Sequence, residues 1–364
     1  MRLPLLSALI TLAPMTPSHS QDPPVRIGVA GLEHGHVDWI LSDKNRPDFT
    51  IVGLAEADEA LARAKCERYH IDPALVHPSL EAMLEAAKPE AVVVFTSIDQ
   101  HLDAVRACAA RGIHVMVEKP LALDAEQARA IAALAEKHGI HVLTNYETTW
   151  YPSVQATRRV VQDGAVGDIR KMIARDGHQG PKELGAGEEF LAWLTDPDRN
   201  GGGAIIDFGC YGANLMTWLM DNERPESVLA VTQQLKTNPL YARVDDEATI
   251  LLVYPKAQGI IQASWNWPYS RKDLDVYGTK GAVFADDRTR LRQRHGESEK
   301  TSQLPPAEAP YNDPFAYLAA VVRGKADPEG SLSSLENNVI VMEILDAARA
   351  SAKSGRAVPL KPAR

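Results

Sequence analysis

From Val25 to about Tyr146 the chain alternates short runs rich in β-branched residues with helical segments, which confines it to a parallel sheet joined by crossover helices. The expected strands are 25–30, 50–56, 91–95, 113–118 and 141–144, and the helices between them 37–43, 59–69, 79–87, 101–111 and 124–138. Asp124 suits an N-cap and Gly139 a left-handed C-cap for the last of these helices.

After Pro152 the texture changes. One helix, 154–163, precedes strand-like runs at 169–175, 227–234, 248–254, 260–267 and 273–278, the pattern of a second, sheet-dominated α+β domain. At 364 residues the chain exceeds what one core usually supports, so two units, 21–146 and 147–364, are expected. The final helix, near 332–351, has few neighbours of its own and should pack back on an earlier layer. Alternation places Trp265 and Trp267 on one sheet face, expected to be an interface; with Trp193 they are also candidates to stack on a sugar ring.

A formal net charge of -9 argues against a nucleic-acid partner, whose affinity comes from clustered Lys and Arg. Arg2, the apolar stretch from Leu3 to Ala13 and the small-residue pattern Ser18-His19-Ser20 read as a cleaved export signal over residues 1–20. That stretch is too short to span a bilayer, so the expectation is a periplasmic or secreted protein with no membrane insertion after cleavage. Cys66, Cys108 and Cys210 are too widely spread for a metal cluster and read as buried thiols.

The chemistry-bearing residues fall at strand ends. The run Ile113 to Val117 closes on Glu118-Lys119-Pro120, placing a lysine and a carboxylate at the edge of an open α/β sheet where ligands bind. The first strand runs into Gly31-Leu32-Glu33-His34-Gly35-His36, the place of a dinucleotide loop, and Glu56 ends the second. A carboxylate there accepts from ribose hydroxyls and repels a 2′-phosphate, so NAD is expected over NADP. The glycine spacing fails: in G-x-G-x-x-G register the second and third positions are Glu33 and His36. His34 or His36 is expected to donate to phosphate in place of the lost backbone donors. Spacing supplies no further ligand beside these two histidines, so no metal is expected. Gly201-Gly202-Gly203, leading toward a helix at 212–219, could bring backbone amides close to a ligand.

Together the broken fingerprint, Thr96-Ser97 with His101, Glu118-Lys119-Pro120, and Gly201-Gly202-Gly203-Ala204-Ile205-Ile206-Asp207-Phe208-Gly209-Cys210-Tyr211 resemble the Gfo/Idh/MocA oxidoreductases. The resemblance implies an N-terminal Rossmann-type parallel sheet and a C-terminal α+β domain with a large open, mostly antiparallel sheet. It also implies a nicotinamide cofactor, sugar or cyclitol substrates, and a homodimer or homotetramer formed through the C-terminal sheet. By position Lys119 would touch the substrate hydroxyl and nicotinamide ribose, Asp207 would help position the substrate, and Tyr211 would be the acid/base. The form Asp-x-Gly-x-Tyr resembles the glucose-fructose oxidoreductase branch. A lysine ammonium near Tyr211 should favour its phenolate. The implied cofactor contacts are Gly31, Leu32, His34, Gly35, His36, Glu56, Thr96, Ser97, His101, Glu118, Lys119 and Asn145, with Tyr146, Arg175 and His178 facing a polyol.

Outside the cytoplasm no soluble NAD pool would recycle the cofactor, so a tightly held, self-recycled nucleotide is expected. Sugar oxidoreduction meets that demand; so does glycoside hydrolysis or lysis by transient oxidation and elimination. A sugar-binding protein that has lost its nucleotide is the non-enzymatic alternative.

Overall fold

The computed structural model describes residues 22–43 and 46–360; the expected export signal at 1–20 lies outside the described residues. The first sheet comprises β1 (Val25–Ala30), β2 (Phe49–Ala55), β3 (Val76–His77), β4 (Ala91–Val94), β5 (His114–Glu118) and β6 (Val142–Asn145). Its order is β3-β2-β1-β4-β5-β6 and every pair is parallel. The near-continuous burial of β1, β4 and β5 is what a sheet covered on both faces demands. The chain leaves the β3 edge and returns beside β1 at β4. That reversal opens a crevice at the carboxyl ends of β1 and β4, where such sheets bind ligands.

The second sheet comprises β7 (Ile169–Gly177), β8 (Ser227–Gln233), β9 (Glu247–Val253), β10 (Gln258–Ser264), β11 (Arg271–Gly278), β12 (Ala282–Ala285), β13 (Arg290–His295), β14 (Ser298–Gln303) and β15 (Val358–Pro359). Its order is β14-β13-β12-β11-β7-β10-β9-β8-β15, antiparallel except for β7 with β10. Met172, Ala174 and Asp176 of β7 are fully buried, and the helix Gly209–Leu219 lies over that face, its Gly212 packed close to Ala174. Arg175, between them in sequence, points to the other face and pairs with Asp273 and Asp275 of β11 at 2.9 Å each.

Late segments complete the early layer. Phe315, Tyr317, Leu318 and Val321 of the helix Pro314–Val322 share one core with Val25, Ile27 and Val29 of β1. The helix Leu335–Ser354 packs on the helix Ala125–His138 and on β8, and its Asp346 accepts from the Ala125 amide at 2.9 Å. Cys66, Cys108 and Cys210 are buried free thiols, and among the described residues no helix is long and apolar enough to cross a membrane.

The amides at the end of the glycine triplet are taken up within the protein rather than left for a ligand, contrary to the reading of its sequence. The Gly203 and Ile205 amides donate to the Asp245 carboxylate at 2.9 and 2.7 Å, and the Ala204 amide donates to the Asp245 carbonyl at 3.0 Å. A Cβ on Gly203 would lie 1.7 Å from that carbonyl oxygen. Gly203→Ala should therefore cost about 3 kcal/mol, read as a fall of roughly 10 °C in the thermal midpoint. An unchanged melt would show that the triplet is not closely packed.

Candidate active site

Lys119 follows the last residue of β5, is joined to Pro120 by a cis peptide bond and is only 7% exposed. Its Nζ donates to the Asp207 carboxylate and, at 3.3 Å, to the Asp207 carbonyl. Asp207 ends the helix Ala204–Asp207, and its other carboxylate oxygen accepts from Trp265 Nε1 at 2.9 Å. Burial works against both charges, yet the pairing prevails: Lys119 titrates above and Asp207 below its ordinary range. An ammonium has three donors. With two committed to Asp207, one remains for the cavity.

That cavity, of about 590 Å³, is bounded by Lys119, Asp207, Tyr211, His178, Lys272, Phe208, Phe190, His34, Gly35 and His36. Tyr211, on the helix Gly209–Leu219, has its ring 5.5 Å from Lys119 Nζ and 5.1 Å from Lys272 Nζ. Burial first, then the nearby Glu147, Cys210, Asp207 and Glu118, holds its hydroxyl well above the usual range for tyrosine. The expected phenolate is thus not what these surroundings favour. The Lys119 charge is committed to Asp207 and that of Lys272 to Glu147. Tyr211 is a neutral phenol and a proton donor.

Two of the three cavity histidines, His178 and His34, are donors as well. His178 Nδ1 accepts from the Gly180 amide at 3.0 Å and His34 Nδ1 from the His36 amide at 3.1 Å, which leaves the proton of each neutral ring on Nε2. Burial lowers both, His178 to about 4, so both are uncharged at neutral pH. His34 packs edge-on against Phe190 and 5.9 Å from Trp193, and among the described residues no hydrogen-bond partner satisfies its Nε2.

Glu118 and Asn145 lie behind the cavity wall. Glu118 accepts from Asn145 Nδ2 at 2.7 Å and sits 3.0 Å from His36 Nδ1, while Asn145 accepts from Trp150 Nε1 at 2.9 Å. Burial would raise the Glu118 carboxyl, but the His36 and His34 imidazoles and these hydrogen bonds hold it at about 2. Spacing alone did not reveal that Glu118 joins His34 and His36, placing three potential metal ligands within 4.8 Å of one another. Because His34 carries its proton on Nε2, the trio is a hydrogen-bonded brace for His36 rather than a preformed cage.

A second cavity, of about 500 Å³, opens between the ends of β1, β2 and β4 and is lined by Gly31, Glu33, Glu56, Thr96 and Gln100 among others. Gly31 has φ +80°, and a Cβ there would meet Thr96 Cγ2 at 2.6 Å. The Glu56 oxygens accept the Leu32 and Asp58 amides at 2.9 Å each, which fixes the carboxylate and leaves a lone pair on each oxygen for ribose hydroxyls. Among the described residues the lining carries Glu33, Glu56, Glu81 and Asp103 but neither Lys nor Arg. These residues fit the adenosine half of NAD and disfavour a 2′-phosphate.

The structure separates several residues that the sequence had grouped. His101 is fully buried with Nδ1 3.3 Å from the Leu121 carbonyl, so it supports the turn after Lys119 rather than facing either cavity. Leu32 contributes only its amide, its side chain lying in the core. The Ser97 hydroxyl is engaged by Arg199 and Gln100. Tyr146 is buried edge-on beneath Tyr211, and Arg175 points to the opposite face of its sheet; neither lines the cavity. Trp265 and Trp267 lie past the end of β10, so strand alternation does not govern them, and Trp265 is a buried anchor for Asp207. Lys272 went unnoticed in the sequence because a lone lysine near a strand start carries no pattern; β11 register sets it opposite Asp176 on the cavity face.

Both parts of the chain have counterparts among known proteins. Residues 25–146 match the model of the oxidoreductase family with an NAD-binding Rossmann fold, and 154–284 match the GFO/IDH/MocA C-terminal domain. The trans-1,2-dihydrobenzene-1,2-diol dehydrogenase of Mus musculus is 28% identical over 255 residues, covering 69% of this chain and 71% of that one. Its counterpart in Xenopus tropicalis is 26% identical over 322 residues, covering 85% and 93%. Among solved structures, the inositol dehydrogenase homologue from Azotobacter vinelandii complexed with NAD+ superposes with TM-score 0.80 at 19% identity, covering 93% of this chain and 98% of that one. The aldose-aldose oxidoreductase from Caulobacter crescentus complexed with glycerol gives 0.79 at 20%, covering 93% and 100%. At these identities the two structures share the fold.

Proposed function

The chain belongs to the GFO/IDH/MocA family of NAD-binding oxidoreductases, and on that premise we propose that it moves a hydride between bound NAD and a carbon bearing a hydroxyl in a sugar, cyclitol or related diol. The observation that carries the reading is the buried Lys119–Asp207 pair, which turns one ammonium donor toward a cavity holding a neutral phenol and a neutral imidazole. Relatives named for a dihydrodiol, an inositol and an aldose support a substrate with adjacent hydroxyls.

NAD, when bound, supplies the hydride acceptor or donor. Gly31, Glu56 and Thr96 would hold its adenosine side, and Lys119 would meet the reactive end. Every other step falls to side chains. Lys119 places one N–H on the reacting oxygen and stabilises negative charge developing there. Asp207, clamped by Lys119 and Trp265, fixes that ammonium. Tyr211 gives its proton to a substrate carbonyl oxygen in reduction and takes it from the hydroxyl in oxidation. His178 offers Nε2–H to a neighbouring hydroxyl, and Phe208 and Phe190 exclude water from one wall.

We further propose export through the signal at residues 1–20, with a nucleotide that is retained and returned to its starting state in each cycle. The reading is tested by denaturing the purified native protein and identifying released small molecules by mass spectrometry. NAD or NADH is expected in near-stoichiometric amount. A protein that neither carries nor takes up the nucleotide would overturn it.

A further inference from the structure

The two cavities meet at Glu33, which lines both. A dinucleotide with its adenosine beside Glu56 and its reactive end beside Lys119 must pass its diphosphate through that junction. The loop is poorly equipped for it, since Glu33 stands where the fingerprint has its second glycine and adds a negative charge. The compensating cation comes from the other domain. Arg199, on the short helix Pro197–Asn200 just before the glycine triplet, reaches back to the first sheet. Its guanidinium donates to Ser97 Oγ at 2.9 Å and to Glu33 at 3.4 Å, and Nε lies 3.9 Å from Asp99. It therefore spans the gap between the β1 loop and the end of β4.

We propose that Arg199 is a nucleotide clamp contributed by the second domain, its guanidinium binding the diphosphate across the junction and holding the dinucleotide in place. Glu33 and Arg199 are then a matched pair: the glutamate anchors the arginine, and the arginine offsets the glutamate that a glycine-rich loop would not carry. A guanidinium is suited to the task because its fork can engage Glu33 and a phosphate oxygen together. The clamp also accounts physically for retention, because release would require the domains to part at this contact. The inference rests on the NAD reading above.

The experiment compares wild-type protein with Arg199→Ala and Arg199→Lys, measuring by calorimetry the binding of NAD+, ADP-ribose and adenosine, and by stopped-flow fluorescence the release of NADH. Arg199→Ala should weaken NAD+ and ADP-ribose by about 10- to 100-fold and speed NADH release correspondingly. Adenosine, which lacks the diphosphate, should bind as before. Arg199→Lys should retain part of the affinity. Adding Glu33→Gly to Arg199→Ala should recover part of the loss, because the uncompensated carboxylate is gone. If NAD+ and adenosine weaken equally, Arg199 merely supports the fold, and if neither changes, there is no clamp; either result overturns the inference while leaving NAD binding intact. Wild-type protein that fails to bind NAD+ at all would instead refute the functional reading beneath it.

Discussion

Lys119→Met is expected to lower turnover by about 10³-fold or more while NAD still binds, because the site loses the cation that meets charge developing on the reacting oxygen. The same change strands a carboxylate. Asp207 is almost fully buried and its charge is sustained chiefly by Lys119. Breaking such a pair from one side costs about 3–5 kcal/mol, less whatever Asp207 recovers by taking up a proton. Lys119→Met should therefore melt earlier than the wild type, whereas Lys119→Met combined with Asp207→Asn should regain much of the stability and none of the activity. Steady-state kinetics with thermal melts on the single and double variants separate the two effects. If the double variant regained activity, Lys119 would be structural.

Tyr211→Phe should cost about 10²- to 10⁴-fold in turnover with little change in fold, since among the described residues no hydrogen bond engages its hydroxyl. The wild-type pH dependence follows from the raised phenol. A group titrating well above its usual range stays protonated through neutral and mildly alkaline solution. Carbonyl reduction, which needs the proton present, should be flat there. Alcohol oxidation, which needs it gone, should rise about tenfold per pH unit without levelling off below ~10. Tyr211→Phe should lose that slope. An oxidation profile with a plateau near neutrality would point to a different base.

The nucleotide-side sheet was legible because its central strands are buried on both faces and three of its helices carry side-chain N-caps, from Asp58, Ser79 and Asp124. Asp124 does accept from the Gln127 amide, and Gly139 does take a left-handed conformation. β13 and β14 were missed because they are largely exposed, reading Arg-Leu-Arg-Gln-Arg-His and Ser-Glu-Lys-Thr-Ser-Gln, so no period-two apolar signal marks them. Within the site, Lys119, Asp207 and Tyr211 could be picked out by motif, and the structure brings all three to one cavity wall. The partners of those residues could not. Trp265 meets Asp207 across 58 positions and Glu118 meets His36 across 82, distances over which spacing carries no information. The protonation state was misjudged for the same reason: beside the neighbouring Asp207 and Cys210, Tyr211 meets Glu118 and Glu147 from two distant parts of the chain, and only folding shows that Lys119 belongs to Asp207.

Hydride transfer at the cavity of Lys119 and Tyr211 is tested by isotope exchange, whatever the net reaction is. Protein loaded with reduced nucleotide carrying deuterium at the nicotinamide hydride position would be incubated with a panel of ketoses, ketocyclitols and their alcohols, and both nucleotide and carbohydrate followed by mass spectrometry. Deuterium should pass from nucleotide to one class of carbohydrate in the wild type and stay on the nucleotide in Lys119→Met and Tyr211→Phe. Transfer undiminished in those variants, or wild-type protein that binds the nucleotide yet moves no deuterium to any member of the panel, would contradict the account.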